Sequence, residues 1–162
     1  MISTAGGQQE PCAPEFKIEN QLCYLVHRLD QAILARYRPL LDELGITYTQ
    51  YMALLVLWDR GEQTTGSLCT AMDLDTGTVS PLVKRLEKAG YVERRRDERD
   101  ERSVRISLTP AGEALRDRVG HIPGTIAGCV LAEEGEYQSV RALLEQLLGR
   151  LEGGDCNTCR GR

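Results

Sequence analysis

Residues 66–109 constrain the fold more than any other part of the chain. They contain two helix signals separated by a turn, followed by two strand signals separated by a charged loop. Pro81 lacks a backbone N–H and fits only in the first turn of a helix, so the second helix should begin near residues 75–78. We expect Ser67 to cap the first helix and Gly90 to end the second.

The segment after the second helix has the period of a half-buried strand. Val104, Ile106 and Leu108 alternate with polar residues, and residues 91–95 would pair with them across the loop. Two short helices followed by a hairpin predict a winged helix-turn-helix, in which the second helix enters the DNA major groove. We therefore expect a mainly helical protein with a small β wing, and a DNA-binding region at about residues 62–109.

The distribution of charge supports this prediction. Residues 76–105 contain nine Lys or Arg and six Asp or Glu, whereas the whole chain has 20 basic and 24 acidic residues. An acidic protein that concentrates its positive charge in one helix and one hairpin is suited to bind a polyanion there. The alternative is a solvated hairpin whose charges pair among themselves, because residues 94–102 also carry four acids.

Helices are expected on both sides of this region. Apolar residues recur at three- and four-residue spacing over residues 18–44, which predicts a long amphipathic helix with a kink or restart at Pro39. A similar pattern over residues 134–151 predicts a last helix. Such helices need a partner, so we expect dimerisation through residues 18–44 and 109–152. The polar tails, 1–17 and 153–162, are expected to be flexible.

Nothing in the sequence indicates a membrane protein or a metal site. No apolar run is long enough to span a bilayer, and no signal pattern precedes the first helix. We expect one soluble, cytoplasmic domain whose six cysteines are kept reduced, with roles in redox or metal chemistry or none. Because the chain has only two histidines, His27 and His121, we expect no metal and no cofactor.

Several motifs resemble one family. DERDERS followed by VRISLTPAG in the predicted hairpin resembles the MarR-type transcriptional regulators. NQLCYLVHR, RYRPLLDELGITYTQYMALLVLW and LDTGTVSPLVKRLE are similar to the Ohr-type repressors of that family, which sense organic hydroperoxides. The resemblance covers about residues 19–151. It implies a homodimeric repressor of double-stranded, pseudo-palindromic operator DNA, and not an enzyme.

The resemblance also suggests the DNA contacts. Asp100 matches an aspartate that braces a wing-tip arginine entering the minor groove, here Arg102. On the predicted recognition helix and wing, we expect the residues that face bases and phosphates to be Thr76, Thr78, Ser80, Lys84, Arg85, Arg95, Arg99 and Arg102. Asp75 is expected to cap the helix instead.

The resemblance places the peroxide sensor at Cys23, with the hydroxyls of Tyr37 and Tyr48 as donors to its thiolate. It implies that Cys129 of the other subunit resolves the oxidised sulfur as a disulfide, in the two-cysteine branch of the subfamily. Tyr37 follows Cys23 by fourteen residues, about 21 Å along a straight helix, so it would reach the thiol of a second subunit. His27 stands where the family has a further tyrosine.

Plainer interpretations remain open. Judged from spacing alone, Cys23 and Cys129 are buried core residues without a chemical role, and Tyr37 and Tyr48 are aromatic residues of a dimer core. One alternative function is a MarR-type repressor released by a small aromatic ligand, with Cys23 structural. A less favoured one is a thiol peroxidase. The sequence assigns no role to the remaining cysteines, Cys12, Cys69, Cys156 and Cys159.

Overall fold

The computed structural model describes residues 17–97, 103–130 and 134–153, the last range without the side chain of residue 134. The elements are α1 (Leu22–Asp42), α2 (Tyr48–Arg60), β1 (Gln63–Thr64), α3 (Thr65–Met72), α4 (Thr76–Lys88), β2 (Val92–Arg96), β3 (Val104–Leu108), α5 (Pro110–Val119), α6 (Ile122–Val130) and α7 (Glu134–Glu152). Six residues named above lie outside the described ranges: Cys12, Arg99, Asp100, Arg102, Cys156 and Cys159.

The first helix is continuous. After a 3-10 turn at Ile18–Asn20, α1 runs from Leu22 to Asp42 with Pro39 inside it. Of the kink or restart expected at Pro39, the restart is therefore wrong. Proline removes one backbone hydrogen bond, and the turns on either side keep theirs. The helix is followed by Gly45, which has a φ of 68° that favours glycine.

Threonine and aspartate side chains fix the start of the next three helices. At α2, the Gln50 N–H donates to Thr47 Oγ1 at 3.3 Å and the Thr47 N–H donates to Gln50 Oε1 at 2.8 Å, which is a capping box. At α3 the cap is Thr64, to which the Ser67 N–H donates at 3.1 Å, so the expectation for Ser67 is wrong. Asp75 caps α4, as expected.

The wing is part of a three-stranded antiparallel sheet in the order β1-β3-β2. The predicted hairpin is confirmed, with Val92 opposite Leu108 and Arg96 opposite Val104. The pairing of Gln63 with Ile106 adds β1, which the sequence did not predict. A strand of two residues is too short to show a period.

One hydrophobic core extends from the end of α1 to α6. Its largest fully buried side chains are Tyr51, Leu41, Leu54, Leu57, Leu68, Leu86, Ile106, Leu115, Ile122, Val79, Val83 and Val92. The last helix differs, because among its described side chains none is buried. The predicted mainly helical fold with a small β wing is therefore confirmed. Within the described part of the chain, no helix is long and apolar enough to cross a membrane.

Candidate nucleic-acid interface and thiol site

Helix α4 presents a basic face. Its apolar residues Val79, Leu82, Val83 and Leu86 are buried against the core. The opposite face therefore leaves its cationic side chains exposed: Lys84, Arg85 and Lys88. A helix anchored on one side and basic on the other is suited to the major groove of DNA.

The hydroxyl residues expected at the start of α4 have unequal roles. Thr76 and Thr78 are exposed, and Ser80 is half-buried. Thr78 Oγ1 donates to Asp75 Oδ2 at 3.0 Å, and the Thr78 N–H donates to Asp75 Oδ1 at 2.9 Å. These bonds lower the pKa of Asp75. The Thr78 hydroxyl is thus used in the cap, and Thr76 Oγ1 lies 3.7 Å from Cys69 Sγ.

The wing carries arginines along β2. Arg95 is exposed, and its Nη2 lies 2.9 Å from Glu93 Oε1 on the same strand. Arg94 Nε donates to Glu87 Oε2 of α4 at 2.8 Å, so the wing is tied to the end of the recognition helix. Part of the wing charge therefore pairs internally, as the alternative interpretation of the hairpin expects. Lys84 and Arg85, two of the predicted DNA contacts, form no ion pair with any other residue that the structure describes.

A three-residue ion network, which the sequence did not predict, holds the base of the wing. Arg105 Nε donates to Asp97 Oδ2 and Arg105 Nη1 donates to Glu62 Oε1, each at 2.7 Å. These bonds raise the pKa of Arg105. Asp97 is only 8% exposed, and its N–H donates to the Ser103 carbonyl at 3.0 Å. The network joins the end of β2, the middle of β3 and the segment before β1.

The two thiols predicted to react are both exposed in this chain. Cys23 is the second residue of α1, and Cys129 is the next to last residue of α6. Because α1 is unbroken, Tyr37 lies about 21 Å along the helix axis from Cys23. The structure therefore does not bring Cys23 and Tyr37 of one chain together.

The structure does bring Tyr37 and Tyr48 together. Their ring centroids lie 4.8 Å apart, and the buried Tyr51 lies 6.0 Å from Tyr37. Burial, followed by the neighbouring Tyr48, Tyr51 and Tyr137, raises the pKa of Tyr37 to about 12. Burial and then the charge of Asp30 raise the pKa of Tyr48. Both hydroxyls consequently keep their protons at neutral pH and remain hydrogen-bond donors.

An apolar cavity of about 330 Å³ opens beside Tyr37. It lies between α1, α6 and α7, and its wall includes Ile33, Ile126, Val130 and Tyr137. Sequence reasoning missed Tyr51 and Tyr137, since only the packing of four helices brings them to Tyr37. A smaller cavity of about 230 Å³ lies between the start of α2 and α4, and Thr49 and Arg85 are among its lining residues.

The described His, Cys, Asp and Glu side chains do not assemble a metal centre. His27 and His121 are both exposed. In the ranges that the structure describes, no group of three His, Cys, Asp or Glu side chains is arranged to hold a metal ion.

Comparison with known proteins gives the family. The model of the MarR family matches residues 46–104. The chain is 42% identical over 135 residues to the organic hydroperoxide resistance transcriptional regulator of Bacillus subtilis, which covers 83% of this chain and 92% of the relative. The structure of reduced AbfR bound to DNA has a TM-score of 0.75 at 34% identity, covering 84% of this chain and 93% of that one.

A second state of AbfR is less similar in conformation. The disulfide-formed structure has a TM-score of 0.61 at the same 34% identity, covering 84% of this chain and 90% of that one. The basic helix, the wing and these relatives agree on a DNA-binding transcription regulator that is not an enzyme. This chain belongs to the MarR family of transcriptional regulators.

Proposed function

We propose that this chain is a homodimeric repressor, acting in the cytoplasm, that releases its operator when an organic hydroperoxide oxidises Cys23. One observation carries the proposal. Helix α1 holds the exposed Cys23 about 21 Å from Tyr37, so the donor pair that Tyr37 forms with Tyr48 does not reach the Cys23 of its own chain. In the proposed dimer, a second copy supplies this thiol.

Apolar exposure supports dimerisation through the terminal helices. Leu22 is 66% exposed and Leu25 52% on α1, and Leu148 is 55% exposed on α7. Contiguous apolar surface of this kind marks an interaction site. We assign dimerisation to residues 18–44 and 109–152, and DNA binding to about residues 62–109. The tails at 1–17 and 153–162 stay outside this assignment.

The tyrosine pair accounts for the reactivity of the thiol. An ordinary cysteine has a pKa near 8.5, so most of it is unreactive thiol at neutral pH. A hydrogen bond to a charged group contributes about 1.5–3 kcal/mol, which lowers a thiol pKa by about one to two units. We infer that Tyr37 and Tyr48 of one protomer donate to the Cys23 thiolate of its partner in the cavity beside Tyr37.

The redox steps balance with the peroxide as the only oxidant. The Cys23 thiolate attacks the terminal peroxide oxygen, and the O–O bond breaks. The sulfur keeps this oxygen with its hydrogen as a sulfenic acid, and the departing alkoxide takes a proton from solvent to give the product alcohol. The thiol of Cys129 on the other protomer displaces the sulfenic hydroxyl as water and forms a disulfide. Two equivalents of a cellular thiol reduce the disulfide again.

Disulfide formation then changes the spacing of the two DNA-binding regions. In a symmetric dimer the recognition helices enter half-sites about one turn of DNA apart, so contact with both requires fixed spacing. A change from mostly bound to mostly free requires about a 10⁴-fold loss of affinity, roughly 5.5 kcal/mol. The chain resembles reduced, DNA-bound AbfR more than disulfide-formed AbfR, which favours a change of shape on oxidation.

In this proposal the operator contacts come from the exposed surfaces of α4 and the wing. Lys84 and Arg85 are exposed on α4 and form no ion pair with the described residues, and Arg95 extends the basic surface onto β2. We also assign contacts to Thr76 and Ser80, with Thr78 contributing through its methyl group because its hydroxyl and its N–H both bond Asp75. The contacts of Arg99 and Arg102, and the brace by Asp100, remain predictions from the family.

The smaller cavity favours one alternative function. It borders Arg85 on the recognition helix and the start of α2, so a small aromatic ligand bound there would obstruct DNA. In that case Cys23 is structural, and the ligand releases DNA from the reduced protein. The two candidates therefore differ in their response to reductant and to Cys23→Ser.

The test is a titration of a fluorescent duplex, selected from random DNA by the reduced protein, followed by fluorescence anisotropy. The concentration of cumene hydroperoxide that releases half of the DNA should be at least 100-fold lower for wild type than for Cys23→Ser. Added dithiothreitol should restore DNA binding. Cys69→Ser is the matched control, because it removes a half-buried thiol outside the proposed site and should respond like wild type. If the peroxide releases DNA from Cys23→Ser as readily as from wild type, the proposal is wrong.

A further inference from the structure

The single tryptophan of the chain joins the tyrosine cluster to the DNA-binding region. The Trp58 Nε1–H of α2 donates to the Gly112 carbonyl oxygen in the first turn of α5, at 3.0 Å. The Trp58 ring meets the buried Tyr51 edge-on, with centroids 6.4 Å apart. Tyr51 in turn contacts Tyr37 and Tyr48. A continuous row of aromatic rings therefore leads from the proposed thiolate donors to α5.

The first turn of α5 is itself tied to the recognition helix and the wing. The Thr109 N–H donates to the Tyr91 carbonyl at 3.0 Å, and the Thr109 hydroxyl donates to the Gly90 carbonyl at 2.6 Å. A Cβ atom at Gly112 would overlap the Tyr91 carbonyl oxygen, so the two backbones are in direct contact. Any displacement of this turn moves the point where α4 ends and β2 begins.

Helix α5 is also connected to the helix that carries Cys129. Only two residues separate α5 from α6, and Cys129 lies near the end of α6. Helix α6 packs on α1 through the buried Ile122 and Ile126. A bond formed at Cys129 therefore acts on one end of a segment whose other end is held by Trp58.

We propose that the hydrogen bond from Trp58 to Gly112 is a latch, closed in the reduced protein and opened when Cys129 is captured in a disulfide. The proposal rests on the proposed redox function. Closed, the latch holds the first turn of α5, the end of α4 and the base of the wing in the arrangement that binds DNA. Trp58 is a positioning residue, since it acts on DNA through Gly112 and Tyr91.

The latch has a direct spectroscopic readout. As the single tryptophan, Trp58 gives one indole N–H signal in a nitrogen-15 correlation spectrum of the full dimer. We expect this N–H to exchange with solvent at least tenfold faster after oxidation by cumene hydroperoxide. Selected operator DNA should slow exchange in the reduced protein, because a ligand that prefers the closed state suppresses opening. Cys23→Ser treated with the peroxide should show no faster exchange, and operator DNA should still slow its exchange.

The substitution Trp58→Phe keeps an aromatic ring and removes the donor. A net hydrogen bond of about 0.5–1.5 kcal/mol corresponds to about 2- to 12-fold, so reduced Trp58→Phe should bind DNA weaker by that factor. The salt dependence should be unchanged, since no phosphate contact is lost. Oxidised Trp58→Phe and oxidised wild type should bind equally weakly, because the latch is already open in both.

The outcomes separate the two proposals. If oxidation releases DNA while the exchange of the indole N–H is unchanged, the latch is wrong and the redox function stands. If oxidation leaves DNA bound in wild type, the redox function itself is wrong. Equal weakening of DNA binding by Trp58→Phe in both redox states would also overturn the latch, because a purely structural defect acts on both.

Discussion

The DNA-binding region and the terminal helices differ in how much of their apolar surface is buried within a single chain. Between α2 and α5, capping side chains satisfy the helix starts, and the apolar faces of α4 and β3 are buried. In the first half of α1 and along α7, the apolar residues stay exposed. The first region, which we call the complete region, buries its apolar surface within one chain, whereas the second, the incomplete region, leaves apolar surface exposed that the proposed dimer would cover.

This difference explains where the proposed sensor lies. The reactive thiol and its donors are both present in the sequence, but α1 keeps them on separate ends of one rigid helix. A sensor shared between protomers can change the spacing of the two DNA-binding regions. Through the proposed latch between α2 and α5, it can also change the position of α5 within each region. In this proposal the terminal helices carry the sensor, and the DNA-binding region responds to it.

The largest expected effect is on the free energy of unfolding, which a truncation in the DNA-binding region should lower and a truncation in the terminal helices should not. Leu86 is fully buried, so Leu86→Ala should reduce the free energy of unfolding by about 2–5 kcal/mol, measured by urea denaturation. Leu25 is half exposed, so Leu25→Ala should leave the helical circular dichroism unchanged and weaken the dimer at least tenfold in sedimentation equilibrium. The comparison fails if Leu25→Ala unfolds the chain or leaves the dimer intact.

A smaller effect is expected at the base of the wing. Asp97→Asn keeps the size of the side chain and removes the charge that Arg105 bonds at 2.7 Å. We expect the free energy of unfolding to fall by less than in Leu86→Ala, because a part-buried charge-assisted hydrogen bond to a solvent-accessible arginine is weakened. Peroxide sensing should be unchanged, as this network belongs to the complete region. Loss of the peroxide response in Asp97→Asn would contradict the division.

The smallest effect concerns the pH dependence of stability. The folded pKa of Tyr37, about 12, lies above the ordinary value of 10.0, so its contribution is full below pH 10 and is lost as the pH rises towards 12. Wild type should therefore lose more stability than Tyr37→Phe between pH 9 and pH 11, in parallel urea titrations. Identical slopes for the two proteins would show that the Tyr37 hydroxyl is not buried.

How far the sequence predicted the molecule depended on how local each feature is. Pro81, Gly90 and the alternation around Ile106 are local signals, and they predicted the recognition helix and the hairpin correctly. Thr64 and Ser67 are both good caps three residues apart, and the prediction named Ser67 although Thr64 is the cap. Local sequence patterns therefore predict which helices and strands form better than they predict where those elements begin and end.

Features that depend on tertiary packing escaped prediction. Glu62 and Arg105 are 43 positions apart, and only the pairing of β1 with β3 brings them together. Tyr137 lines the same cavity as Tyr37 because α7 borders that cavity together with α1, and no sequence period indicates this. The pairing of Cys23 with tyrosines came from the family resemblance, since the residues alone favoured a structural cysteine.

The sharing of the sensor between protomers is tested most directly by mixing two variants. Cys23→Ser and Cys129→Ser, each with the other four cysteines changed to serine, are mixed, allowed to exchange subunits and treated with cumene hydroperoxide. On a non-reducing gel we expect a covalent dimer from the mixture and none from either variant alone, because one protomer supplies Cys23 and the other Cys129. A mixture that stays monomeric on the gel, while the Cys23–Cys129 parent forms its disulfide within one chain, would contradict the account.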